Sequence, residues 1–181
     1  MFRASTDIRP VYASVLTNLL TIPPLARANL SRPGCWAYPD MLEVGVTNTQ
    51  SAEPPLVSFD AKSPPRTKAT PPKKTNPSTP TKQSFTEARS HFGAWAITSS
   101  PLIIGMNVSD DPTVDAFWTI LSNTEAITIN QDYAGESGTL FWESDELTFF
   151  TPCGWWLQNC TYASQMYWSK RLSNGDVAVL M

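Results

Sequence analysis

The chain contains 181 residues, a length that allows one ordinary domain and little more. Hydrophobic residues make up 41% of it and charged residues 16%, against about 25% charged residues in a typical soluble domain. A net charge of -3 offers no general attraction for nucleic acid or anionic membranes, and no window of about 18 apolar residues could span a bilayer. We therefore expect neither nucleic acid nor a membrane among its partners. The start, MFRASTDIRP, lacks the apolar core of a signal peptide.

The residues before Gly45 predict a helix followed by a strand. The helix covers about 8–29 and is entered through Arg9-Pro10, and Pro23-Pro24 should break or kink it. Its apolar residues recur at helical spacing and are Val11, Val15, Leu16, Leu19 and Leu20. The following segment, SRPGCWAYPDMLEVG, has turn residues around a short apolar run, which predicts a strand that emerges into a loop.

A proline-rich segment, 61–83, interrupts this pattern. It reads AKSPPRTKATPPKKTNPSTPTKQ and carries six of the 13 lysines and arginines, with no acidic or aromatic residue. Such a composition cannot bury enough apolar surface to offset its ordering entropy, so we predict a disordered insertion. The functional alternative is that its PxxP elements bind an SH3-like groove or its lysines bind phosphate.

Helix and strand patterns alternate after the insertion. The segment 86–98 predicts a helix with Thr86 as N-cap, and LIIGM at 102–106 is typical of a buried parallel strand. Asp110 and Pro112 then predict the start of another helix. This alternation indicates an α/β unit with parallel strands.

The tail from about residue 135 changes to short runs of aromatic and β-branched residues. These runs cover 139–143, 147–151, 166–171 and 177–181. Asn174-Gly175 between the last two runs is a strong hairpin signal, so we predict antiparallel β structure here.

The three cysteines and the single histidine limit the available chemistry. Cys153 and Cys160 bracket a short loop, and they either form a disulfide in an oxidising compartment or remain free buried thiols. Cys35 lies in the predicted strand-to-loop segment. His91 lies on a predicted helix near its packed face, where a structural role is favoured over a catalytic one. No spacing typical of a metal site occurs, so we expect no metal and no cofactor.

Three sequons are candidate N-glycosylation sites and hint at secretion. They begin at Asn29, Asn107 and Asn159. Each short match is weak evidence by itself.

The remaining candidates for chemistry are carboxylates. Asp7 follows Arg3 by four residues, so the two side chains point to the same side in either a strand or a helix. Asp40 lies among aromatic residues in WAYPDM. A glycosidase needs one acid to protonate the leaving oxygen and a second carboxylate to attack or to activate water. The alternative from composition alone is an ordinary surface ion pair or a helix cap.

Several blocks of the sequence resemble consecutive blocks of the glycoside hydrolase family 27 α-galactosidases. The blocks are RPGCWAYPDMLEVG, TEARSHFGAWAITSSPLIIGMNVSDDPTVD, LSNTEAITINQDYAGESG and the tail MYWSKRLSNGDVAVLM. The resemblance implies a (β/α)8 barrel followed by an antiparallel β-sandwich. Residues 1–134 would be the C-terminal part of the barrel, interrupted by 61–83, and 135–181 would begin the truncated β-domain.

The resemblance also implies site residues for retaining hydrolysis of terminal α-galactose. Asp7, in an R-x-x-x-D-I pattern, would be the general acid/base, and Arg3 would bind a substrate hydroxyl. Asp40 and Met41 would approach the sugar. Ala37-Tyr38 departs from the Asn-Asp of many members, which would alter the shape of the subsite.

The nucleophile block of that family, Y-x-K-x-D, does not occur in the 181 residues. We therefore expect a fragment without activity of its own, belonging to a secreted, lysosomal or vacuolar enzyme that acts on α-galactosides. The alternatives are a degenerate non-catalytic paralogue, an incomplete gene model with 61–83 as a translated intron, or an α-N-acetylgalactosaminidase. The sequence leaves the oligomeric state open.

Overall fold

The computed structural model describes residues 1–47, 82–150 and 159–181. The helices are α1 (Tyr12–Leu19), α2 (Ile22–Arg27), α3 (Phe85–Ile97), α4 (Asp111–Leu121) and α5 (Thr124–Gln131). The strands are β1 (Phe2–Arg3), β2 (Ala37–Tyr38), β3 (Thr139–Glu143), β4 (Leu147–Phe150), β5 (Cys160–Ala163), β6 (Met166–Arg171) and β7 (Val177–Leu180). Within these ranges, no helix has both the length and the apolar character needed to cross a membrane.

The strands of the first half pair in parallel. Phe2 of β1 lies opposite Ala37 of β2, and Leu42 forms a single parallel bridge with Ile104. The strand predicted at 102–106 is therefore wrong in extent, because within the described ranges this segment makes only that bridge, and Ile104 is 42% exposed. The parallel pairing itself agrees with the α/β interpretation.

The helix predicted over 8–29 is divided in two. α1 ends at Leu19, and α2 begins at Ile22 with Pro23 and Pro24 in its first turn. Proline is tolerated there because the first N–H groups of a helix have no intrahelical acceptor. The prolines thus separate the two helices, as predicted.

Helix α3 begins with a capping box. The Ser84 hydroxyl accepts from the Glu87 backbone N–H, and the Glu87 carboxylate accepts from the Ser84 N–H at 2.7 Å. Thr86 was the wrong choice of N-cap, because it lies inside the first turn. Gln83, assigned to the end of the insertion, is 2% exposed and bonded to His91. Lys82 forms a single antiparallel bridge with Thr47, and 61–81 of the predicted insertion lies outside the described residues.

The strands after residue 138 form antiparallel sheets. One sheet has the order β3-β6-β7, and β4 pairs with β5 in another. The turn between β6 and β7 contains Asn174 and Gly175, as the sequence predicts, and Gly175 has φ +93. Strand β5, at Cys160–Ala163, was not predicted from the sequence.

One apolar core joins the helices to the sheet. Val15 of α1, Leu42, and Phe92 and Trp95 of α3 belong to the same buried cluster as Trp168 of β6. The segment after β1 and the loop after β2 lie against the helices of this core. Together these two segments carry the candidate site.

Candidate active site

The predicted site residues Arg3, Asp7 and Asp40 lie together in the structure. The Arg3 Nη2 atom donates to the Asp7 carboxylate and, at 2.6 Å, to Asp40 Oδ2. Because β1 and β2 are adjacent parallel strands, the residues that follow them emerge at the same edge. The Asp7 side chain is 77% exposed and that of Asp40 is 12% exposed, so the pair offers one solvent-facing and one buried carboxyl group.

The two loops that carry these carboxylates are also joined directly. The backbone N–H of Ile8 donates to Asp40 Oδ2 at 2.9 Å. Below them, the buried amide of Asn18 donates to the carbonyls of Thr6 and Pro39 at 2.9 and 3.0 Å. Charge-assisted bonds such as those of Arg3 are stronger than neutral ones, so the loops are held at a defined spacing.

Asp40 has an unusual backbone conformation. Its φ is +84, in the left-handed region that residues other than glycine rarely adopt. The Trp95 Nε1 atom donates to the Asp40 carbonyl at 2.8 Å, and Trp95 is fully buried. This bond and those to the Asp40 carboxylate hold the residue in its strained conformation, with the carboxylate toward Arg3.

Glu43 is a third carboxyl group at the site, and it was not predicted from the sequence. It is buried, and burial together with the charge of Asp40 raises the pKa of Glu43 to about 7. A Cβ atom at Gly105 would lie 2.9 Å from Glu43 Oε1 and 3.1 Å from the Leu42 carbonyl, so a larger residue there would require the Glu43 side chain to move. Glu43 follows Asp40 by three residues in the sequence, which was the available signal. Nothing in the surrounding pattern indicated that its side chain is buried.

Tyr38 and Met41 lie within two residues of Asp40 in the chain. Burial and the charge of Asp40 raise the pKa of Tyr38, while the nearby Arg3 opposes this shift. The departure from the family pattern at Tyr38 therefore lies beside the site itself. Met41 is half-buried next to Asp40, near Gly105.

His91 is part of the core, which agrees with the structural role predicted for it. It is fully buried, stacks edge-on against Trp95 and shares a hydrogen bond with Gln83. Burial lowers the pKa of His91 to about 3, so the ring is neutral. In the described ranges, no group of three or more His, Cys, Asp or Glu residues could hold a metal ion.

The remaining predicted residues lie apart from the carboxylates. Cys35 is an exposed free thiol, while Cys153 lies outside the described residues, so its pairing with Cys160 stays a prediction. The three sequon asparagines, Asn29, Asn107 and Asn159, are exposed.

Curated relatives of the chain are α-galactosidases. The chain is 45% identical over 60 residues to alpha-galactosidase mel1 of Schizosaccharomyces pombe, covering 33% of this chain and 13% of that protein. It is 30% identical over 137 residues to alpha-galactosidase 3 of Arabidopsis thaliana, covering 76% of this chain and 23% of that protein. It is 32% identical over 111 residues to the alpha-galactosidase of Lachancea cidri, covering 61% of this chain and 16% of that protein. The chain thus spans less than a quarter of the length of each. No family model matches.

Solved structures of α-galactosidases share its fold. An α-galactosidase of Saccharomyces cerevisiae superposes with a TM-score of 0.56 and 23% identity, over 98% of this chain and 34% of that one. A structure of the Saccharomyces cerevisiae enzyme with raffinose gives a TM-score of 0.53 and 24% identity, over 91% of this chain and 26% of that one. The order of elements, with parallel pairs and helices followed by antiparallel sheets, is that of a section of such enzymes. The chain is therefore related to the α-galactosidases of glycoside hydrolase family 27 and corresponds to a section of them.

Proposed function

We propose that the chain is part of an α-galactosidase that hydrolyses terminal, non-reducing α-linked galactose with retention of configuration. The observation that carries this proposal is the contact of Arg3 with both Asp7 and Asp40 at the end of a parallel strand pair. Barrel glycosidases place their carboxylates at such strand ends. The relatedness to α-galactosidases supports α-galactosides as the substrate class.

Each site residue has a proposed role that its position supports. Asp7, with an exposed carboxyl group, protonates the glycosidic oxygen and later deprotonates the attacking water. Arg3 and Asp40 bind hydroxyl groups of the sugar, with Met41 contributing apolar contact. No Y-x-K-x-D block occurs in the 181 residues, so the chain supplies the acid/base and the substrate contacts but no nucleophile.

The proposed function assigns the parts of the chain as well. Residues 1–134 belong to the C-terminal part of a (β/α)8 barrel, with the insertion ending before Gln83, and 135–181 belong to an antiparallel β-domain. The parallel bridge of Leu42 with Ile104 and the later antiparallel sheets support this assignment. An enzyme of this class with N-glycosylation sequons would act outside the cell, in a lysosome or in a vacuole.

Binding of a galactoside by the 181-residue chain tests the substrate class. Methyl α-D-galactopyranoside should bind in calorimetry or ligand-observed NMR, and the α-D-glucopyranoside should not. Arg3→Ala should weaken binding about tenfold or more, because a hydrogen bond to a charged group contributes about 1.5–3 kcal/mol. Arg27→Ala, on the exposed end of α2, is the matched control. Equal affinity for both sugars would contradict the proposal, and preference for the N-acetylgalactosaminide would redirect it to that substrate.

A turnover assay tests the missing nucleophile separately. The chain should release no p-nitrophenol from p-nitrophenyl α-D-galactopyranoside above the rate of an Asp7→Asn variant. Turnover that depends on Asp7 would refute the claim that this chain lacks a nucleophile.

A further inference from the structure

The side-chain amide of Asn18 contacts both loops of the candidate site. Asn18 lies on α1 and is 1% exposed, and its Nδ2 atom donates to the Thr6 carbonyl at 2.9 Å and the Pro39 carbonyl at 3.0 Å. These carbonyls belong to the residues directly before Asp7 and Asp40. A single buried group therefore connects the two peptide segments that carry the carboxylates.

Asparagine is suited to bonding two carbonyls at once. A primary amide offers two N–H donors from one nitrogen, whereas serine offers one, and leucine and ionised aspartate offer none. The bond to Pro39 is buried, so without a donor the Pro39 carbonyl would lose its hydrogen bond and gain none from water. Making both bonds from this position takes a side chain with two donors.

The segments above Asn18 make the contacts that matter for the site. Ile8 N donates to Asp40 Oδ2 at 2.9 Å, and Arg3 spans Asp7 and Asp40. Both contacts depend on the spacing of the two backbones that Asn18 joins. Asn18 is buried and contacts these segments through the peptide carbonyls of Thr6 and Pro39.

We propose that Asn18 is a positioning residue that sets the separation of the Asp7 and Asp40 carboxyl groups. This inference rests on the proposed function, in which both carboxyl groups engage one galactose unit. It deepens that function by assigning the spacing of the two loops to a side chain on α1.

Amide hydrogen exchange of the full 181-residue chain tests the inference without any ligand. In Asn18→Ser and Asn18→Leu, the Ile8 amide should exchange about tenfold faster or more, since its acceptor Asp40 is displaced. The Ala4 amide, which donates to Tyr38 in the β1–β2 pair, should change less. Thr98→Val is the matched control, because it removes another buried hydrogen bond at the end of α3. Equal changes at Ile8 in the control and the Asn18 variants would overturn the inference.

A measurement on the unaltered chain covers variants that do not fold. Both Nδ2 protons of Asn18 should be protected from exchange in the unaltered chain. Rapid exchange of either proton would show that the bonds to Thr6 and Pro39 do not persist, and would overturn the inference.

The affinity for methyl α-D-galactopyranoside separates the two proposals. Asn18→Ser should bind it about tenfold more weakly than Thr98→Val does, at equal folded fraction. If the unaltered chain does not bind the sugar but Ile8 exchange responds selectively to Asn18, the proposed function fails and the positioning role stands. If the unaltered chain binds the sugar and Asn18→Ser binds it equally well, the positioning role fails and the proposed function stands.

Discussion

The indole Nε1 atom of Trp95 donates a 2.8 Å hydrogen bond to the backbone carbonyl of Asp40. The two residues are 55 positions apart, and the bond crosses from the buried face of α3 to the loop after β2. Since Asp40 has φ +84, its peptide needs such partners to remain in that conformation. The core of the protein thereby determines the orientation of a side chain in the site.

Replacing Trp95 with phenylalanine should therefore affect both stability and the site. Loss of the bond leaves a buried carbonyl unpaired, so we expect the free energy of unfolding to fall by about 1–3 kcal/mol in urea denaturation. The Asp40 carboxylate should also lose its contact with Arg3, with weaker galactoside binding as the result.

The control for Trp95→Phe is Trp168→Phe. Trp168 is 2% exposed in the same core but lies on β6, in the other half of the fold. Its replacement should lower stability without changing the galactoside affinity of the folded protein. Similar loss of affinity in both variants would contradict a specific role for the Trp95–Asp40 bond.

The carboxyl group of Glu43 predicts a pH dependence of stability. Because burial and Asp40 raise the pKa of Glu43 from 4.5 to about 7, the folded state binds more protons than the unfolded state between these values. This contribution to stability is fully present below pH 4.5 and is lost as the pH rises through 7. The loss should be about 1–3 kcal/mol.

Glu43→Gln isolates this effect. The difference in unfolding free energy between Glu43→Gln and the unaltered chain should grow in favour of the variant from pH 4.5 to pH 8. Glu125→Gln, an exposed carboxylate on α5, should leave the profile unchanged. Parallel profiles for Glu43→Gln and the unaltered chain would show that Glu43 is not buried as described.

Lys170 connects the sheet to the end of helix α5. It is 1% exposed, and its Nζ atom donates to the carbonyls of Ile129 and, at 3.2 Å, Asn130. Lys170→Met keeps the apolar stem but leaves these carbonyls without a donor, so stability should fall by about 1–3 kcal/mol. Arg171→Met, which removes an exposed ion pair with Glu136, should change stability by less than about 1 kcal/mol. Equal effects in chemical denaturation would contradict the connection.

Lys170 also carries its own pH signature. Burial lowers the pKa of Lys170 from 10.5 to about 8, with Asp132 opposing this shift. The unfolded state therefore binds more protons between pH 8 and 10.5, and this group makes stability rise with pH in that window. The unaltered chain should gain stability relative to Lys170→Met from pH 8 to pH 10. A constant difference over that window would contradict the lowered pKa.

Strand β7 presents an apolar outer face at a sheet edge. In the described part of the chain β7 pairs only with β6, and Val179 is 54% exposed. Val179→Lys should reduce self-association in light scattering with less than about 0.5 kcal/mol change in stability, because charges protect edge strands. Leu180→Lys faces the opposite way, toward Gly93 of α3, and should unfold the protein. Unchanged association in Val179→Lys would exclude this face as its cause.

Local patterns were enough to predict much of the architecture. The helical spacing before Pro23, the Asn174-Gly175 turn and the Asp110-Pro112 helix start all depend on residues within a few positions of each other. The wrong predictions have two causes. Neighbouring residues compete for the same role, or the partner of a segment lies far away in the sequence. Ser84 rather than Thr86 caps α3 because Ser84 and Glu87 together satisfy both backbone N–H groups. The segment 102–106 is apolar enough for a strand, but its pairing depends on the available partner, and among the described residues only Leu42 provides a bridge.

The candidate site likewise has features that the sequence predicts and features that only the fold explains. The four-residue spacing of Arg3 and Asp7, and the family resemblance at Asp40 and Met41, were visible in the sequence by itself. The roles of Asn18, Glu43 and Trp95 appear only in the folded chain, because hydrogen bonding and burial depend on groups brought together from 3 to 55 positions away. Sequence determined which carboxylates are present and their local spacing. Tertiary packing decided which of them is buried, which is exposed and what holds them together, because solvent exclusion and hydrogen-bond geometry arise only when distant segments pack.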